Sequence, residues 1–280
     1  MALPFPPPTA LLSSPSFVVS QPSDADVDAM AEVYYESFMT DPQNTYWWSR
    51  DRAAQVAWLR RRLRSKLRDP ATRHFKIVDA SSDDEIVAWA RWTVPSGPSA
   101  GAFGVGFGAG AGAGESGHVH GHELGKNKAP EDTASSTSTT SATAINIEGG
   151  GAAGTAAPST VDVPEGTDPA VVQHFFQAMV DMSQKWDSSS MLCLSVLCTS
   201  PRYFKRGAAK ALLVPVLNIA DAEGLRTYLE ATAAGRPVYE KLGFRQVDVL
   251  RFDTAGAVEG RPEPFEVAIM IREPKKVGAN

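Results

Sequence analysis

The sequence predicts an α/β fold in which helices flank one mixed, twisted sheet. Residues 190–200 are nearly all apolar, which is typical of a strand buried on both faces. A helical pattern and a second strand follow, and a strand–helix–strand unit of this kind makes a right-handed parallel crossover. Strands expected to pair antiparallel come before and after this unit. The predicted sheet is therefore mixed.

The N-terminal part of the chain supplies a short strand, two helices and a hairpin. Ser23 is the expected N-cap of the first helix, because acidic residues follow it in the first turns, and Pro42 ends that helix. The second helix has apolar residues at helical spacing on one face and arginines on the other. Polar residues 81–84 form the turn of the hairpin. The strands are predicted at 16–21, 73–80 and 85–94, and the second helix at 49–70.

The C-terminal part supplies three helices and four strands. Asp168 and Pro169 are the expected N-cap and first residue of a long helix. Gly224 ends the next helix and Gly243 ends a short third one, as expected of glycines beyond a helix C-terminus. Besides the strand at 190–200, the remaining strands are predicted at 225–231, 244–252 and 265–273.

Composition divides the chain into one domain and two segments without regular structure. Residues 1–15 are rich in proline and serine and form a disordered lead-in. A single domain is predicted over residues 16–275. It is interrupted at 96–166 by a tract rich in glycine, serine, threonine and alanine, which cannot bury enough apolar surface to become ordered. We interpret this tract as a flexible insertion, because neither flank has enough elements to fold alone.

Bulk properties narrow the class of protein. The 280 residues carry a formal net charge of −5, which argues against nucleic acid as a partner. No Lys or Arg occurs before Arg50, and no apolar run is long enough to cross a bilayer, so we expect a cytoplasmic protein with no membrane partner. The oligomeric state is left open. Cys193 and Cys198 indicate no disulfide framework, and on a regular strand they would face opposite sides.

The segment that leaves the buried strand has the features of a phosphate cradle. The first amides of a helix lack partners and lie at its positive end. Residues with small side chains occupy this position, so a pyrophosphate can approach the amides of residues 205–210. Close packing of helix on sheet is the alternative explanation of the small residues. The small residues are Gly207, Ala208 and Ala209, and the nearby cations are Arg202, Lys205, Arg206 and Lys210.

Two motifs give the chain a resemblance to the GCN5-related N-acetyltransferase (GNAT) family. The family signature R/Q-x-x-G-x-G/A, between a buried strand and a helix, is similar to residues 204–209. The later segment at 238–244, VYEKLGF, also resembles the family, as do the first helix and the third strand. This resemblance implies a GNAT-type acyl-CoA N-acyltransferase fold. Phe204 departs from the signature, because the family usually has Gln or Arg there.

The resemblance also implies a cofactor and site residues. Acetyl-CoA is the implied co-substrate, with its pyrophosphate on the helix amides and its pantetheine along the strand edge at Val196, Leu197 and Cys198. Tyr239 is the implied proton donor to the departing thiolate. Glu230, at the end of a strand, is the best candidate for the base that deprotonates the amine. The implied cofactor-binding residues are Val196, Leu197, Cys198, Phe204, Lys205, Arg206, Gly207, Ala208, Ala209 and Lys210.

The remaining candidate functional residues have weaker support in the sequence. Glu36 and Asp41 are weaker base candidates, and Cys198 is a poor nucleophile because strand cysteines are usually buried and inert. The alternating histidines at 118–122 lie in a glycine-rich loop without a carboxylate or thiol frame, so we predict no metal site. The basic run at 60–68 fits the solvated face of a helix, although contact with nucleic acid or an acidic acceptor is the alternative.

From the residues and the resemblance together, we expect an acetyl-CoA-dependent N-acetyltransferase. A primary amine of a small molecule attacks the acetyl group directly in a ternary complex. One alternative is acetylation of a protein or peptide. The other, suggested by Phe204, is an acyl-CoA-binding relic without activity.

Overall fold

A computed structural model of the protein describes residues 16–95, 162–254 and 264–275. Within these residues there are seven strands and five α-helices. The strands are β1 (Phe17–Ser20), β2 (Thr72–Asp79), β3 (Glu85–Thr93), β4 (Leu192–Thr199), β5 (Thr227–Ala231), β6 (Arg245–Phe252) and β7 (Phe265–Arg272). The helices are α1 (Val27–Phe38), α2 (Arg52–Leu67), α3 (Pro169–Lys185), α4 (Ala208–Ala222) and α5 (Arg236–Lys241).

All seven strands belong to one sheet, in the order β1-β2-β3-β4-β5-β7-β6. Strands β1 to β4 are successive antiparallel neighbours, and β5, β7 and β6 form a second antiparallel block. The two blocks are joined by a parallel pairing of β4 with β5, whose crossover is α4. This arrangement confirms the predicted α/β class with a mixed sheet.

The helices cover both faces of the sheet. Helices α4 and α5 pack on one face, where the core includes Leu212, Leu213 and the apolar residues of β4 and β5 that face them. Helices α1, α2 and α3 pack on the other face around Met30, Leu59 and Phe176. Each helix buries one apolar stripe, as its sequence pattern requires.

Local capping explains where the helices begin. The Asp51 carboxylate accepts a hydrogen bond from the Ala53 amide at 2.8 Å, and Asp168 accepts one from Ala170 at 2.8 Å. Both satisfy amides of the first turn that have no partner within the helix. The predicted N-cap and first residue of α3 are therefore confirmed. The Ser23 amide donates to Asp26 at 2.6 Å, in the short 3₁₀ turn that precedes α1.

A bulge in β4 overturns the expectation for the two cysteines. Arg91 pairs with Val196 and Trp92 pairs with Leu194, so Ser195 is an extra residue without a partner on β3. One extra residue reverses the alternation of faces. Cys193 and Cys198 consequently both pack toward the α1–α3 face, where both are buried and unbonded to each other. The prediction of opposite faces was wrong because it assumed a regular strand.

The C-terminal end of the predicted insertion packs against the domain. The Trp58 indole Nε1 donates to the carbonyl oxygen of Asp162 at 3.0 Å, and the Ser49 hydroxyl donates to that of Glu165 at 2.5 Å. Composition assigned residues 162–166 to the flexible tract, but α2 and the preceding loop hold them in place. The lead-in at 1–15 and residues 96–161 of the insertion lie outside the described residues.

A buried ion pair fixes α4 to the far block of the sheet. Two nitrogens of the Arg272 guanidinium donate to the two carboxylate oxygens of Asp221, each at 2.7 Å, and Arg272 Nε donates to the Leu242 carbonyl at 3.0 Å. The two side chains are 3 % and 12 % exposed. These hydrogen bonds with Arg272 and the Lys275 amide hold the pKa of Asp221 below its ordinary value, although burial opposes them.

We predict that Asp221→Asn lowers the free energy of unfolding by about 2–4 kcal/mol at pH 7, because it leaves a buried guanidinium without its charged partner. A carboxyl group with a lowered folded pKa stabilises the protein above its unfolded pKa and loses this effect as pH falls. The deficit of the variant should therefore shrink in acid. Urea denaturation at pH 7 and at about pH 2.5, below the ordinary Asp pKa, measures both. Glu273→Gln, which breaks an exposed pair, is the control and should change stability by less than about 0.5 kcal/mol. An equal loss in both variants would contradict the prediction.

Candidate active site

The loop between β4 and α4 is folded as a cradle. Lys205 has φ 63° and Gly207 has φ 89°, so two residues of the loop take left-handed conformations just before the helix begins. Gly207 is the N-cap and has no side chain with which to satisfy the first amides of α4. Those amides lie at the positive end of a 15-residue helix. The loop can therefore bind an anion through its backbone, as the sequence predicts.

The two parallel strands separate where the loop begins. Strand β4 pairs with β5 only from Leu192 to Leu194, opposite Thr227 to Leu229. Beyond that point β4 continues to Thr199 along β3, while Glu230 and Ala231 of β5 pair with β7. The edge of β4 that faces β5 is left without a partner strand there. An extended ligand can add to such an edge by backbone hydrogen bonds.

A cavity of about 730 Å³ occupies this separation and connects the cradle with the α1–α3 face. Eight of the ten predicted cofactor-binding residues line it, together with the two predicted catalytic residues, Tyr239 and Glu230. Sequence positions up to 43 residues apart are thus brought to one site by the parallel crossover. The eight are Val196, Leu197, Phe204, Lys205, Gly207, Ala208, Ala209 and Lys210.

Glu230 lies at the end of β5, just past the last pair with β4. Burial raises the pKa of its carboxyl group to about 7, and the nearby Tyr228 hydroxyl opposes that rise. A carboxylate in this range is ionised in half of the molecules at neutral pH. It is also basic enough to accept a proton, which an ordinary surface carboxylate is not.

Tyr239 lies on α5 with its ring 8 % exposed, in contact with Gly235 and edge-on to Phe244 at 5.9 Å. Burial raises the pKa of its hydroxyl above the ordinary value, so the group is protonated at neutral pH. A β-carbon added at Gly235 would lie 3.1 Å from the tyrosine ring, so a small residue is required there. The ring is thereby held with its hydroxyl at the cavity.

Residues 182–257, which include β4, the cradle, β5, α5 and β6, match the family model described as an acetyltransferase (GNAT) domain. This segment of the chain is therefore similar to a GNAT acetyltransferase domain. The match supports an N-acetyltransferase activity that uses an acyl-CoA. No curated protein matches the chain in sequence.

The fold is also similar to several solved structures. The ribosomal-protein-S18-alanine N-acetyltransferase of Escherichia coli is 12 % identical over 94 % of this chain and 97 % of its own, with a TM-score of 0.45. A histone acetyltransferase HPA2-related protein of Corynebacterium glutamicum is 18 % identical over 93 % of this chain and 97 % of its own, with a TM-score of 0.45. The PaiA N-acetyltransferase of Thermoplasma acidophilum, in complex with coenzyme A, is 12 % identical over 92 % of this chain and 99 % of its own, with a TM-score of 0.43.

Two predicted cofactor-binding residues direct their side chains elsewhere in this domain. The Cys198 thiol contacts the Trp89 carbonyl at 3.8 Å, and burial raises its pKa well above the ordinary value. It is therefore a poor nucleophile, as the sequence suggested. The Arg206 guanidinium lies 4.9 Å from the ring centre of Tyr203. Of the cradle's other cations, Arg202 forms an ion pair with Glu85, while Lys205 and Lys210 line the cavity.

The weaker base candidates of the sequence lie away from the cavity lining. Glu36 is exposed on α1. The Asp41 carboxylate accepts a hydrogen bond from the Gln43 amide at 3.1 Å and so caps a short 3₁₀ turn. Phe204, the departure from the GNAT signature, lines the cavity with 44 % of its surface exposed, so its ring lies at the rim and not in the core.

The cavity wall on the α1–α3 face contains residues that the sequence did not single out, namely Trp58, Phe175, Phe176 and Arg91. Trp47 stacks on Phe175 with ring centres 4.9 Å apart and meets Trp58 at 5.8 Å. These rings, with Phe176 of α3, form an apolar wall. Arg62 lies over the Trp58 ring at 4.7 Å, and Arg91 also lines the cavity. The arginine within the apolar run of β3 is a sequence signal from which this part of the site could have been predicted.

Most of the basic run on α2 is neutralised by neighbouring acids. Arg60 lies 3.1 Å from Asp28 of α1 and Arg61 lies 2.9 Å from Asp162. These exposed pairs agree with a solvated helix face. His118, His120 and His122 lie outside the described residues. Within the described ranges, no three side chains of the His, Cys, Asp and Glu types come together as metal ligands, and none of the helices combines the length and apolarity needed to cross a bilayer.

We predict that Gly207→Ala weakens CoA binding at least about tenfold and lowers the free energy of unfolding by about 1 kcal/mol. An alanine at φ 89° is strained, and relief of the strain would move the amides of the cradle. Calorimetry with CoA and thermal unfolding measure the two effects. Gly224→Ala is the matched control, since φ is 66° there with nothing within 4 Å of an added β-carbon. It should lose similar stability and bind CoA normally. Equal CoA affinity in both variants would overturn the assignment of the cradle.

We predict that Glu230→Gln raises the free energy of unfolding more at pH 8 than at pH 5. The difference between the two pH values should be about 1–3 kcal/mol, because a shift of one pKa unit corresponds to about 1.4 kcal/mol. With a folded pKa of about 7 against an ordinary 4.5, wild type loses stability as pH rises from 4.5 to 7, whereas glutamine does not titrate. Denaturant unfolding at both pH values tests this. The exposed Glu240→Gln should show no such difference. A parallel shift in the two variants would show that Glu230 has an ordinary pKa.

Proposed function

We propose that the protein transfers the acetyl group of acetyl-CoA to a primary amine of a small molecule, by direct attack of the amine in a ternary complex. One observation carries the proposal: the cradle, a half-buried carboxyl group, a protonated tyrosine and an aromatic wall line a single cavity at the separation of β4 and β5. These are the parts that amide formation from a thioester requires.

The residues present fit the co-substrate. The backbone amides at residues 205–210 and the cations Lys205 and Lys210 would hold its pyrophosphate, with no side chain of Gly207 in the way. The unpaired edge of β4 at Val196 and Leu197 would hold the pantetheine as an added strand. When bound, acetyl-CoA supplies an acetyl group activated as a thioester.

Glu230 would act as the base. An amine must be neutral to attack, and a carboxylate with a pKa of about 7 can accept its proton directly or through a water molecule. Its position just beyond the last β4–β5 pair places the carboxylate at the point where the strands separate. The rise of activity with pH should then follow ionisation of Glu230 with a midpoint near 7.

Tyr239 would act as the proton donor. Its hydroxyl remains protonated because burial raises its pKa, and it lies on the wall of the cavity across from the β4 edge. Proton donation from Tyr239 stabilises the departing CoA thiolate. In this proposal the base and the acid come from two different elements, β5 and α5.

The size of the cavity favours a small acceptor over a protein. A volume of about 730 Å³ is ordinary for a small-molecule site, and the pantetheine arm must share it. The wall formed by Trp47, Trp58 and Phe175 is suited to an aromatic or apolar body beside the amine.

Release of free thiol from acetyl-CoA, measured over a panel of aromatic amines, aliphatic amines and lysine peptides, tests the proposal. Calorimetric titration with CoA accompanies it. We expect turnover with small primary amines and a preference for those with aromatic bodies. Turnover with peptides alone would favour a peptide acetyltransferase. Saturable CoA binding without turnover on any amine or peptide would favour a relic.

We predict that Tyr239→Phe lowers kcat about 10- to 100-fold and changes the Kd for CoA by less than about twofold, because only the donated proton is removed. Steady-state kinetics and calorimetry measure both. Tyr35→Phe is the control. Tyr35, on α1, packs against Arg52 of α2 and does not line the cavity. It should keep wild-type kcat. Equal kcat in wild type and Tyr239→Phe would remove Tyr239 from the reaction.

A further inference from the structure

Arg91 is a buried cation in the middle of an apolar strand. It lies on β3 between His74 of β2 and Val196 of β4, and it is 8 % exposed. Its neighbours along β3, Ala90 and Trp92, are core residues of the opposite face. The Arg91 side chain therefore points toward the α1–α3 face, where it lines the cavity.

This guanidinium has no counter-ion in the described part of the chain. No carboxylate there forms an ion pair with it, and its buried Nε has no hydrogen-bond acceptor. The acid with the most influence on it, Asp69, is engaged at 2.9 Å by Lys66. A buried charge without a partner is strongly unfavourable, so proteins rarely keep one that serves no ligand.

Three of the side chains near Arg91 contribute to its electrostatic surroundings. Arg62 of α2 adds a second cation to the same part of the cavity. Tyr34 of α1 is protonated, because burial raises the pKa of its hydroxyl. His74 is neutral, because burial and Arg91 lower the pKa of its imidazole to about 3. Of these three neighbours, Arg62 is cationic, while Tyr34 and His74 are neutral.

The phosphates of CoA are not the natural partner of Arg91. The cradle lies at the N-terminus of α4, which packs on the face of the sheet opposite to the Arg91 side chain. Strand β4 also lies between Arg91 and the edge along which the pantetheine would run. The anion that Arg91 requires must therefore arrive with the acceptor.

We infer that the acceptor amine also carries a carboxylate, which is bound by Arg91 with Arg62 beside it. This inference rests on the proposed function. A guanidinium presents a planar fork of N–H donors that matches a carboxylate in a bidentate manner. The Arg91 side chain lines the cavity, so its guanidinium is placed to meet a ligand there.

The sheet sets the span between the two charged ends of such an acceptor. Arg91 on β3 and Glu230 on β5 are separated by β4 alone. In a regular sheet two interstrand spacings would place their Cα atoms about 10 Å apart. The separation of β4 from β5 lengthens this span, and both long side chains line the same cavity. An amino acid can place its amine toward Glu230 and its carboxylate toward Arg91, with its side chain on the aromatic wall of Trp47 and Phe175. The substrate class is therefore amino acids with apolar or aromatic side chains.

Matched acceptors test the inference in wild type. Each acid is paired with the amine that lacks its carboxylate: phenylalanine with phenethylamine, leucine with isopentylamine, and 4-aminobutanoate with propylamine. Thiol release gives kcat/KM for each. We expect at least one acid to exceed its paired amine by about tenfold or more. Acids and amines with equal kcat/KM throughout would overturn the carboxylate inference and leave the N-acetyltransferase proposal standing.

Variants of Arg91 test the residue itself. Arg91→Met, which keeps most of the volume, should raise KM for the preferred acid about tenfold or more, and change kcat/KM for the paired amine by less than about threefold. Arg91→Lys keeps the positive charge but not the planar fork of donors, so its KM for the preferred acid should lie between those of wild type and Arg91→Met. Arg251→Gln, which breaks an exposed pair with Glu266, is the control and should behave as wild type.

Thermal unfolding separates binding from a structural role. Because Arg91 forms no ion pair with another described residue, Arg91→Met should unfold at the same temperature as wild type or higher. A fall of more than about 5 °C, or equal losses with acid and amine, would assign Arg91 to the architecture and overturn the inference. If Arg91→Met does not fold, the same comparison is made with Arg91→Lys. Absence of turnover with every acid and amine would overturn the proposed function, and the inference with it.

Discussion

The separation of β4 from β5 is the constraint on which the site depends. The two strands run parallel and pair over only three residues, and each then follows a different neighbour. A continuous pairing would close the sheet, remove the unpaired edge of β4 and divide the cavity into two. The bulge at Ser195 lies at the same level, where its hydroxyl is 2.8 Å from that of Thr93 on β3. That contact ties the displaced part of β4 to β3 and away from β5.

The protein distributes its polar groups in two different ways. Away from the cavity, buried charges are matched: Arg272 with Asp221, and Lys76 with Asp26 at 2.5 Å. Along the cavity, Glu230, Tyr239 and Arg91 form no ion pair with another described residue, and burial shifts the pKa of each in the direction that favours its neutral form. These groups therefore destabilise the folded state, and the packing of the surrounding sheet offsets that effect. Such unmatched groups are ready to interact with a ligand, since no internal bond must first be broken.

Local chemistry made much of the fold predictable. Asp168 and Pro169 mark the start of α3, Gly224 follows α4, and the apolar run of β4 indicates a central strand. Each of these signals depends on only a few neighbouring residues, so it can be recognised in the sequence. The cradle could be predicted for the same reason. The bulge at Ser195 could not, because serine is compatible with a regular strand and the extra residue is decided by pairing with β3. The anchoring of residues 162–166 was hidden by their composition, since contacts with Trp58 and Ser49 depend on distant parts of the chain. Arg91 is visible in the sequence, but its place in the site is not, because its lack of a counter-ion among the described residues follows from how the strands pair.

The aromatic wall has a spectroscopic consequence. The chain contains six tryptophans, and two of them, Trp47 and Trp58, line the cavity. Trp48, Trp89 and Trp92 are buried in the cores, and the Trp186 indole is held by Asp248 at 3.0 Å. Water in the cavity reddens and quenches the fluorescence of the two lining indoles, and an apolar guest that displaces this water blue-shifts it. The protein thus contains its own optical reporter of acceptor binding, which responds to occupancy of the wall without a label and without turnover.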